Sequence, residues 1–238
     1  MINKSCIYYT DNEIGEPINT TVQNYIELSG LPIVSVSLKP MEFGNPNVLI
    51  SDQKRGYRTM IRQIRTALEF AGSDYVFFCE HDVLYPQSHF DFTPPRDDIF
   101  YYNKNVWRWQ FGSRRAIRYE RMLPLSVLCV NRELALEHYL LREKAIREAG
   151  EEAFNSREPI IARKWGYEPG TKKKKRGGLT NDDFDTWSSE EPVIDIRHKG
   201  TFSPAKTTLE SFKHLPLEWE EINVEDIPGW DLQALFNL

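Results

Sequence analysis

The sequence predicts an α/β fold with a mixed, mostly parallel central sheet flanked by helices. In the N-terminal third, short apolar runs alternate with segments of helical spacing, in the order strand, helix, strand, helix, strand. This alternation favours parallel strands joined by right-handed crossovers. The chain has 238 residues, 40% of them hydrophobic, which is enough for one large domain with a buried core.

The elements of this third are predicted from local patterns. We expect strands at residues 5–10 and 33–38, where the residues are apolar or alternate, and a helix between them capped by Asn19 or Thr20. A second helix is expected at residues 55–70, because its apolar side chains recur at intervals of three and four. These side chains are Met60, Ile61, Ile64, Ala67 and Leu68.

An acidic triplet follows the third predicted strand. The apolar run at residues 75–79 ends abruptly in Glu80, His81 and Asp82. Ligands of open α/β sheets bind outside the carboxyl ends of the strands, and two carboxylates there suit Mg²⁺ or Mn²⁺ carrying a phosphate. The alternative is a strand that simply enters a polar loop. Strand alternation would point His81 away from both acids, as a structural residue.

The rest of the chain does not keep the regular alternation. A polar stretch at residues 150–180 contains a basic run and is expected to be a mobile loop. The other expected elements are strands at residues 98–109, 114–121, 126–130 and 192–196 and a helix at residues 132–149, which Asn131 caps.

Charge and cysteine content narrow the class of protein. The net charge of −5 excludes a chain-wide polycation that binds nucleic acid. Cys6, Cys79 and Cys129 lie in separate apolar runs without a CxxC spacing, so we expect buried free thiols in a reducing compartment. The N-terminus leads straight into a strand, and no stretch approaches membrane-spanning length. We therefore expect a cytoplasmic enzyme with no integral membrane segment.

Four short motifs resemble GT-A glycosyltransferases, and most closely the small family-2-like enzymes of bacteria and phages. They are Arg-Gly-Tyr-Arg at 55–58, Cys-Glu-His-Asp at 79–82, Asn-Asp-Asp at 181–183 and Asp-Ile-Arg-His-Lys-Gly at 195–200. The resemblance spans about residues 5–205. The family usually shows Asp-x-Asp, whereas the first acid here is Glu80, which leaves open whether Glu80 contacts a metal, the sugar or a bridging water.

The resemblance implies a fold, a domain plan and a reaction. The fold would be a single GT-A-like (Rossmann-like) domain with a nucleotide-sugar-binding half at about 1–95, an acceptor-binding half at about 96–205 and a C-terminal extension at 206–238. The enzyme would be a metal-dependent hexosyl- or pentosyltransferase. It would move a sugar from a nucleotide-diphosphate donor to a hydroxyl acceptor with inversion.

The resemblance also assigns the metal and the base. Asp82 would be a direct ligand and His198 the family's late histidine ligand, although His198 could instead bind the acceptor or be structural. A histidine beside a carboxylate favours Mn²⁺ over Mg²⁺. Asp182 or Asp183 would deprotonate the acceptor, and we favour Asp183. Alternatively, both aspartates could be structural and lie in the first turn of a helix, where acids interact favourably with the helix dipole.

The donor would be bound at the strand ends and by the second helix. The strand ends would hold the base and ribose, helix arginines would neutralise the diphosphate, and a lysine beside His198 is another phosphate candidate. Alternatively, the helix arginines could be solvated and bind no ligand, as is more common for arginines on a helix. The predicted donor-binding residues are Thr10, Asp11, Asp52, Arg58, Arg62, Glu80 and Lys199.

Two basic segments raise the question of the acceptor. Residues 108–121 hold five arginines among aromatic residues, and residues 172–176 add five more positive charges. This pattern suits a polyanion, such as DNA with a hydroxylated base, whereas a carbohydrate or glycolipid is the wider expectation. Trp107 and Trp109 share one strand face and could stack on a sugar or a base, or lie in the core.

Two other classes fit part of the sequence. A nucleotidyltransferase would share the α/β metal site, but the N-terminus has no Gly-rich loop followed by Lys to hold phosphates. A non-catalytic module that binds nucleic acid or another polyanion would need the basic aromatic segment but neither Asp82 nor His198. Loss of donor binding on chelation of the metal would favour the enzyme.

Overall fold

The computed structural model describes residues 2–120, 122–149, 168–169, 184–201 and 205–237. Its N-terminal third follows the predicted alternation. The parallel strands pair in register, with Cys6 beside Ile33 and Phe77. The elements are strand β1 (Lys4–Thr10), helix α1 (Ile18–Glu27), strands β2 (Ile33–Ser37) and β3 (Asn47–Leu49), helix α2 (Tyr57–Phe70) and strand β4 (Tyr75–Glu80).

The remaining elements form the rest of two sheets and their covering helices. They are β5 (Val83–Leu84), α3 (Gln87–Phe90), β6 (Phe100–Asn103), β7 (Val106–Gln110), β8 (Arg115–Arg118), β9 (Leu128–Asn131), α4 (Arg132–Ala149), β10 (Phe184–Trp187), β11 (Val193–Arg197), β12 (Glu220–Asn223) and α5 (Leu232–Phe236).

The first sheet has the order β10-β6-β9-β4-β1-β2-β3. Strands β1 to β4 are parallel, and β9 runs antiparallel to both β4 and β6. The fold class expected from the sequence is therefore confirmed. Chain order runs outward from β1 to β2 on one side and to β4 on the other. The sheet thus has a topological switch point between β1 and β4, where ligands of α/β proteins bind.

The second sheet brings a distant strand to this switch point. Its order is β12-β8-β7-β11-β5. The short strand β5 directly follows Asp82 and pairs antiparallel with β11. The Ile196 N–H donates to the backbone oxygen of Asp82 at 2.9 Å. This pairing carries the carboxyl end of β11, and His198 with it, to the end of β4.

Several predicted boundaries need correction. The aromatic stretch at 98–109 is two strands in different sheets, because a turn held by buried Asn103 separates them. The Asn103 side chain donates to Ser189 Oγ at 2.7 Å and contacts the His89 ring at 3.0 Å. Helix α1 begins at Ile18, earlier than the predicted caps, and the Glu16 carboxylate accepts the Thr20 N–H.

Three short strands have no clear signal in the sequence. β3, β10 and β12 are three or four residues long and lie at sheet edges, where half of the backbone groups face solvent. The predicted loop at 150–180 lies outside the described residues, apart from Glu168 and Pro169. Helix α4 begins as expected, since Asn131 Oδ1 accepts the N–H groups of Glu133 and Leu134.

The two tryptophans whose role the sequence left open lie in the core. Trp107 and Trp109 are 4% and 0% exposed, so they are core residues and cannot stack on a ligand from the surface. The three cysteines are free and buried, as predicted. Within the ranges that the structure describes, no helix combines the length and the apolar content needed to cross a membrane.

Candidate functional site

Three ionisable side chains meet where β1, β4 and β11 end. His81, Asp82 and His198 each offer one ligand atom, and these atoms all lie within 4.8 Å of one another. The set combines two imidazoles with one carboxylate, a mixture that divalent transition metals accept. We name it the His-Asp-His group. Its residues could hold a divalent metal ion.

The expectation that His81 points away from the acids is wrong. Strand β4 ends at Glu80, and residues 81 and 82 form a turn before β5. The alternation of a strand applies only within the strand, so it does not separate His81 from Asp82. The Thr10 hydroxyl contacts His81 Nδ1 at 2.7 Å, and Asp11 Oδ1 lies 3.8 Å from the same nitrogen. Such contacts orient a histidine that binds a metal through its other nitrogen.

The Asp82 carboxylate is buried but surrounded by positive or partly positive groups. Burial alone would raise its pKa, but the close approach of His198 and the charges of His81 and Arg197 outweigh burial and hold the pKa below the ordinary value. The side chain is therefore a carboxylate at neutral pH. Only 10% of it is exposed, so a cation bound there would be largely shielded from water.

His198 faces Asp82 with an unsatisfied nitrogen. Its buried Nε2 lies 3.5 Å from Asp82 Oδ2, too far for a good hydrogen bond, and has no hydrogen-bond partner among the described residues. Its Nδ1 accepts the Gly200 N–H at 3.1 Å. The neutral ring in this arrangement carries its proton on Nε2, so binding a metal there requires the other tautomer.

Glu80 has a different environment from Asp82. Its carboxyl accepts the Tyr9 hydroxyl at 2.7 Å, and its backbone N–H donates to the Tyr85 hydroxyl at 2.9 Å. Burial and then the charge of Asp82 raise the pKa of Glu80 to about 8, so in the absence of metal the carboxyl is mostly protonated at neutral pH. Glu80 is not part of the His-Asp-His group. Its predicted role at the donor therefore stays a prediction.

A cavity of about 910 Å³ opens beside the group, with Asp11 and His198 in its wall. Its lining contains more cations than the sequence analysis assigned. The four are Lys39, Lys54, Arg55 and Lys199. Three acids, Asp11, Glu13 and Glu16, lie on the same wall. The cavity therefore combines positive charge suited to phosphates with carboxylates suited to sugar hydroxyls.

Arg55 and Asn12 tie the strand ends around this cavity. Arg55 Nε pairs with Asp11 Oδ2 at 2.5 Å, and its guanidinium also donates to the backbone oxygen of Gly200. Asn12 has a φ of 57°, a left-handed conformation that Asn tolerates well. Its Oδ1 accepts the N–H groups of Leu38 and Lys39 at 2.8 and 2.9 Å. The wall formed by β1, β2 and β11 is thus cross-linked by side chains.

The structure brings together some of the predicted residues and separates others. Asp11, His198 and Lys199 line the cavity, and Thr10, Glu80 and Asp82 lie at the strand ends beside it. The cavity lining does not include Asp52, Arg58 or Arg62. Asp52 and Arg62 lie 3.5 Å apart, with 68% and 37% of their side chains exposed. Asp182 and Asp183 lie outside the described residues.

Sequence reasoning missed Lys39, Lys54 and Arg55. The resemblance placed the cations of the donor site at Arg58 and Arg62 on helix α2, whereas the cavity is lined by residues that precede this helix. The signal for Arg55 was present in the Arg-Gly-Tyr-Arg motif, directly before helix α2. Lys39 follows the carboxyl end of β2. Ligands of α/β proteins bind at the carboxyl ends of parallel strands, so this position could have indicated Lys39.

A buried ion cluster lies next to the group on the second sheet. Asp195 Oδ2 accepts from Arg108 Nε at 2.9 Å and from Arg197 Nη2 at 2.6 Å. All three side chains are less than 10% exposed. Two arginines share one carboxylate, so the cluster carries an excess of positive charge beside Asp82.

Comparisons with known proteins give only distant structural matches. No known protein family matches the sequence, and no curated protein is significantly similar to it. One similar solved structure is a glycosyltransferase involved in the glycosylation of the major capsid of PBCV-1. It is 11% identical with a TM-score of 0.43, and the match covers 84% of this chain and 94% of that one.

Two other matches are glycosyltransferases as well. GlyE of Streptococcus pneumoniae TIGR4 is 10% identical with a TM-score of 0.43, covering 79% of this chain and 45% of that one. A mutant of Drosophila β1,4-galactosyltransferase 7, in complex with manganese, UDP-Gal and xylobiose, is 12% identical with a TM-score of 0.34, covering 58% and 52%. The chain spans about half of these two proteins.

Proposed function

We propose that the protein is a metal-dependent glycosyltransferase that uses a nucleotide-diphosphate sugar. The observation that carries the proposal is the His-Asp-His group at the switch point of a mostly parallel sheet, with its member His198 in the wall of a cavity lined by four cations. A metal group beside positive charge suits a donor that contains a diphosphate. The nucleotidyltransferase alternative shares these features but requires a loop that holds a triphosphate, which the N-terminal sequence lacks.

His81, Asp82 and His198 would hold the metal. The unsatisfied Nε2 of His198 and the anionic Asp82 fit a bound cation, and two imidazoles favour Mn²⁺ over Mg²⁺. A metal bound there would act as a Lewis acid that stabilises the negative charge of the departing diphosphate. Thr10 and Asp11 would orient His81 through its Nδ1.

The cavity would hold the donor. Lys54 and Lys199 would neutralise the diphosphate, together with Arg55 and Lys39, which pair with Asp11 and Glu13 in the structure. Asp11 would accept hydrogen bonds from the ribose. Arg58, Arg62 and Asp52 remain candidates from the sequence for an outer part of the donor site. The nucleotide half at about 1–95 and the acceptor half at about 96–205 would then meet at the His-Asp-His group.

The transfer would proceed with inversion at the sugar carbon. The acceptor oxygen forms the new bond to that carbon, the bond to the diphosphate oxygen breaks, and the acceptor proton passes to a carboxylate base. Asp183, or else Asp182, is the proposed base. The proposed acceptor is a carbohydrate. A DNA acceptor would depend on the basic run at 172–176, which lies outside the described residues.

The test is a thermal-shift screen of UDP-, GDP-, CMP- and TDP-linked sugars, each with Mn²⁺, with Mg²⁺ and with EDTA. One nucleotide should stabilise the protein only with metal, by about 2.7 kcal/mol at a hundredfold excess over Kd. Asp82→Asn should abolish this shift. Asp98→Asn, at an exposed surface carboxylate paired with Arg96, is the matched control and should keep it. Absence of any shift, or an equal shift in EDTA, would contradict the proposal.

A further inference from the structure

The C-terminal segment adds an aromatic cluster to the edge of the second sheet. The Phe212 and Trp219 rings pack on Tyr119, just beyond β8, with centroid distances of 5.2 and 6.3 Å. The planes of Tyr119 and Trp219 are parallel within 6°, and Phe212 meets Trp219 edge-on at 5.9 Å. All three residues are only half-buried. We name Tyr119, Phe212 and Trp219 the aromatic cluster.

The aromatic cluster lies on the same face of the sheet as the buried ion cluster. Arg108 pairs with Ile117 across β7 and β8, and with Asp195 across β7 and β11. Cross-strand partners share a face, so Arg108, Asp195 and Ile117 lie on one face, and Tyr119, just beyond β8, meets that face at Arg108. The contact is direct, because Arg108 Nη1 donates to the Tyr119 hydroxyl at 3.3 Å.

A continuous row of contacts joins the aromatic cluster to the candidate site. Arg108 pairs with Asp195, Asp195 pairs with Arg197, and Arg197 directly precedes His198. Since Arg108 and Arg197 are held on one carboxylate, buried ion pairs fix the position of the aromatic cluster relative to the His-Asp-His group.

We propose that the aromatic cluster is a subsite for a sugar ring of an oligosaccharide acceptor, stacked on Trp219. This inference rests on the proposed glycosyltransferase function and specifies its acceptor. An aromatic ring offers a flat apolar face with a polar edge, which matches the apolar face of a pyranose and its surrounding hydroxyls. The subsite lies in the C-terminal extension, to which the sequence alone assigned no role.

The charges around the aromatic cluster favour a neutral glycan over a polyanion. Arg118 pairs with Glu220 at 2.6 Å and Arg115 with Glu221 at 3.4 Å, so these arginines are already balanced. Glu218 adds a further acid next to Trp219. Lys206 Nζ lies 5.1 Å from the centre of the Phe212 ring, but a nucleic acid would need several uncompensated cations here to bind its phosphates.

The distance between the two sites indicates an extended acceptor. β8 is separated from β11 by β7, and neighbouring strands lie about 4.8 Å apart, so Tyr119 is roughly 10 Å or more from β11 across the sheet. One monosaccharide cannot reach both the His-Asp-His group and Trp219. The ring on Trp219 therefore belongs to a sugar some residues away from the reacting hydroxyl.

The experiment measures binding of cellohexaose, xylohexaose, maltohexaose and chitohexaose, and of their monosaccharides, by isothermal titration to the full chain. At least one hexasaccharide should bind the wild type. Trp219→Leu, which keeps apolar bulk and removes the ring, should weaken that binding about tenfold. Leu215→Ser is the matched control, because Leu215 lies in the same segment and is 73% exposed. The affinity of this variant for the hexasaccharide should stay within about twofold of the wild-type affinity.

Three outcomes would overturn the inference. They are no binding of any hexasaccharide, equal affinity in the Trp219→Leu variant, and displacement of the sugar by a single-stranded DNA oligonucleotide that binds more tightly through the same ring. Tyr119→Leu provides a second variant if Trp219→Leu melts before 25 °C. The metal-dependent nucleotide shift, measured on the same samples, separates the two proposals. A retained shift without hexasaccharide binding would refute the subsite alone, and a lost shift would refute the donor site.

Discussion

Two clusters of buried ionisable groups in the described part of the chain differ in their access to open space. In the first, the Arg142 guanidinium pairs with the Glu168 carboxylate, and their side chains are 1% and 8% exposed. Arg142 also donates to the Tyr57 hydroxyl, and the Tyr139 hydroxyl donates to Glu168 at 2.6 Å. We name Arg142 and Glu168 the α4 ion pair. In the second, the His-Asp-His group, the contact between Asp82 and His198 is long at 3.5 Å.

The difference shows which buried charge is structural and which is available for a ligand. Burial would raise the pKa of Glu168, but the charge of Arg142 and the Tyr139 hydrogen bond hold it low, so the two charges balance each other. Each cluster has one buried nitrogen without a hydrogen bond in the described part of the chain, Arg142 Nε in the first and His198 Nε2 in the second, but only the His-Asp-His group borders a cavity. A buried charge that is incompletely paired beside open space marks a functional site.

Asp82→Asn should give the largest effect, and mainly on activity. Loss of the anionic ligand removes stabilisation of the leaving diphosphate worth several kcal/mol, so transfer should fall by more than about 10³-fold. The free energy of unfolding at neutral pH should fall only modestly, because the lowered pKa of Asp82 means that the folded protein stabilises its charge. Urea denaturation and a transfer assay check both, and near-wild-type turnover would remove the metal mechanism.

Arg142→Met should give the opposite pattern. It leaves Glu168 buried without its cation, which should cost about 3–5 kcal/mol of unfolding free energy in urea denaturation. Metal binding at 10 °C should be unchanged. Arg96→Met breaks an exposed pair with Asp98 and is the control, expected within about 1 kcal/mol of wild type. A loss of metal binding in Arg142→Met, with the fold intact, would contradict the separation of the two clusters.

His89 sharpens the comparison, because it is buried and uncharged. Burial lowers its pKa to about 3. Below pH 6.5 His89 becomes protonated in the unfolded chain but stays neutral in the folded chain. The free energy of unfolding therefore falls as the pH drops from about 6.5 toward 3. Between pH 6.5 and 5 this group should cost about 2 kcal/mol, a loss that His89→Gln should reduce. Parallel pH profiles of the variant and wild type would disprove this, and exposed His214→Gln is the control.

Arg55→Met should have a smaller effect that is confined to the donor. Arg55 lines the cavity, whereas Arg58 does not, although both precede or begin the same helix. We expect Kd for the nucleotide sugar to rise about tenfold in Arg55→Met and to change less than about twofold in Arg58→Met, measured by titration. The reverse order would restore the assignment made from helical spacing.

The regular parts of the fold could be predicted because their signals are local. The apolar spacing of Ile61, Ile64 and Leu68 fixed helix α2, and the run at 75–79 fixed β4. Short edge strands such as β12 carry too few residues for a pattern, and their partners are distant in sequence.

The site was predicted only where a residue ends a strand. Asp82 and His198 were found this way, and the structure places both in one group. His81 was missed because the rule of alternation was applied one residue past the end of β4. Lys39 and Lys54 were missed because they lie in loops that form the cavity wall. Tertiary contacts position such loops, so the local sequence pattern does not predict where their side chains lie.

The most direct test is titration of Mn²⁺ into the wild type and into His81→Ala, Asp82→Asn and His198→Ala, each with and without UDP. The account predicts one metal site in the wild type, weakened about tenfold or more by every one of the three substitutions. It also predicts that Arg142→Met binds Mn²⁺ as the wild type does. Absence of Mn²⁺ binding in the wild type, or unchanged binding when His81 or His198 is removed, would contradict it.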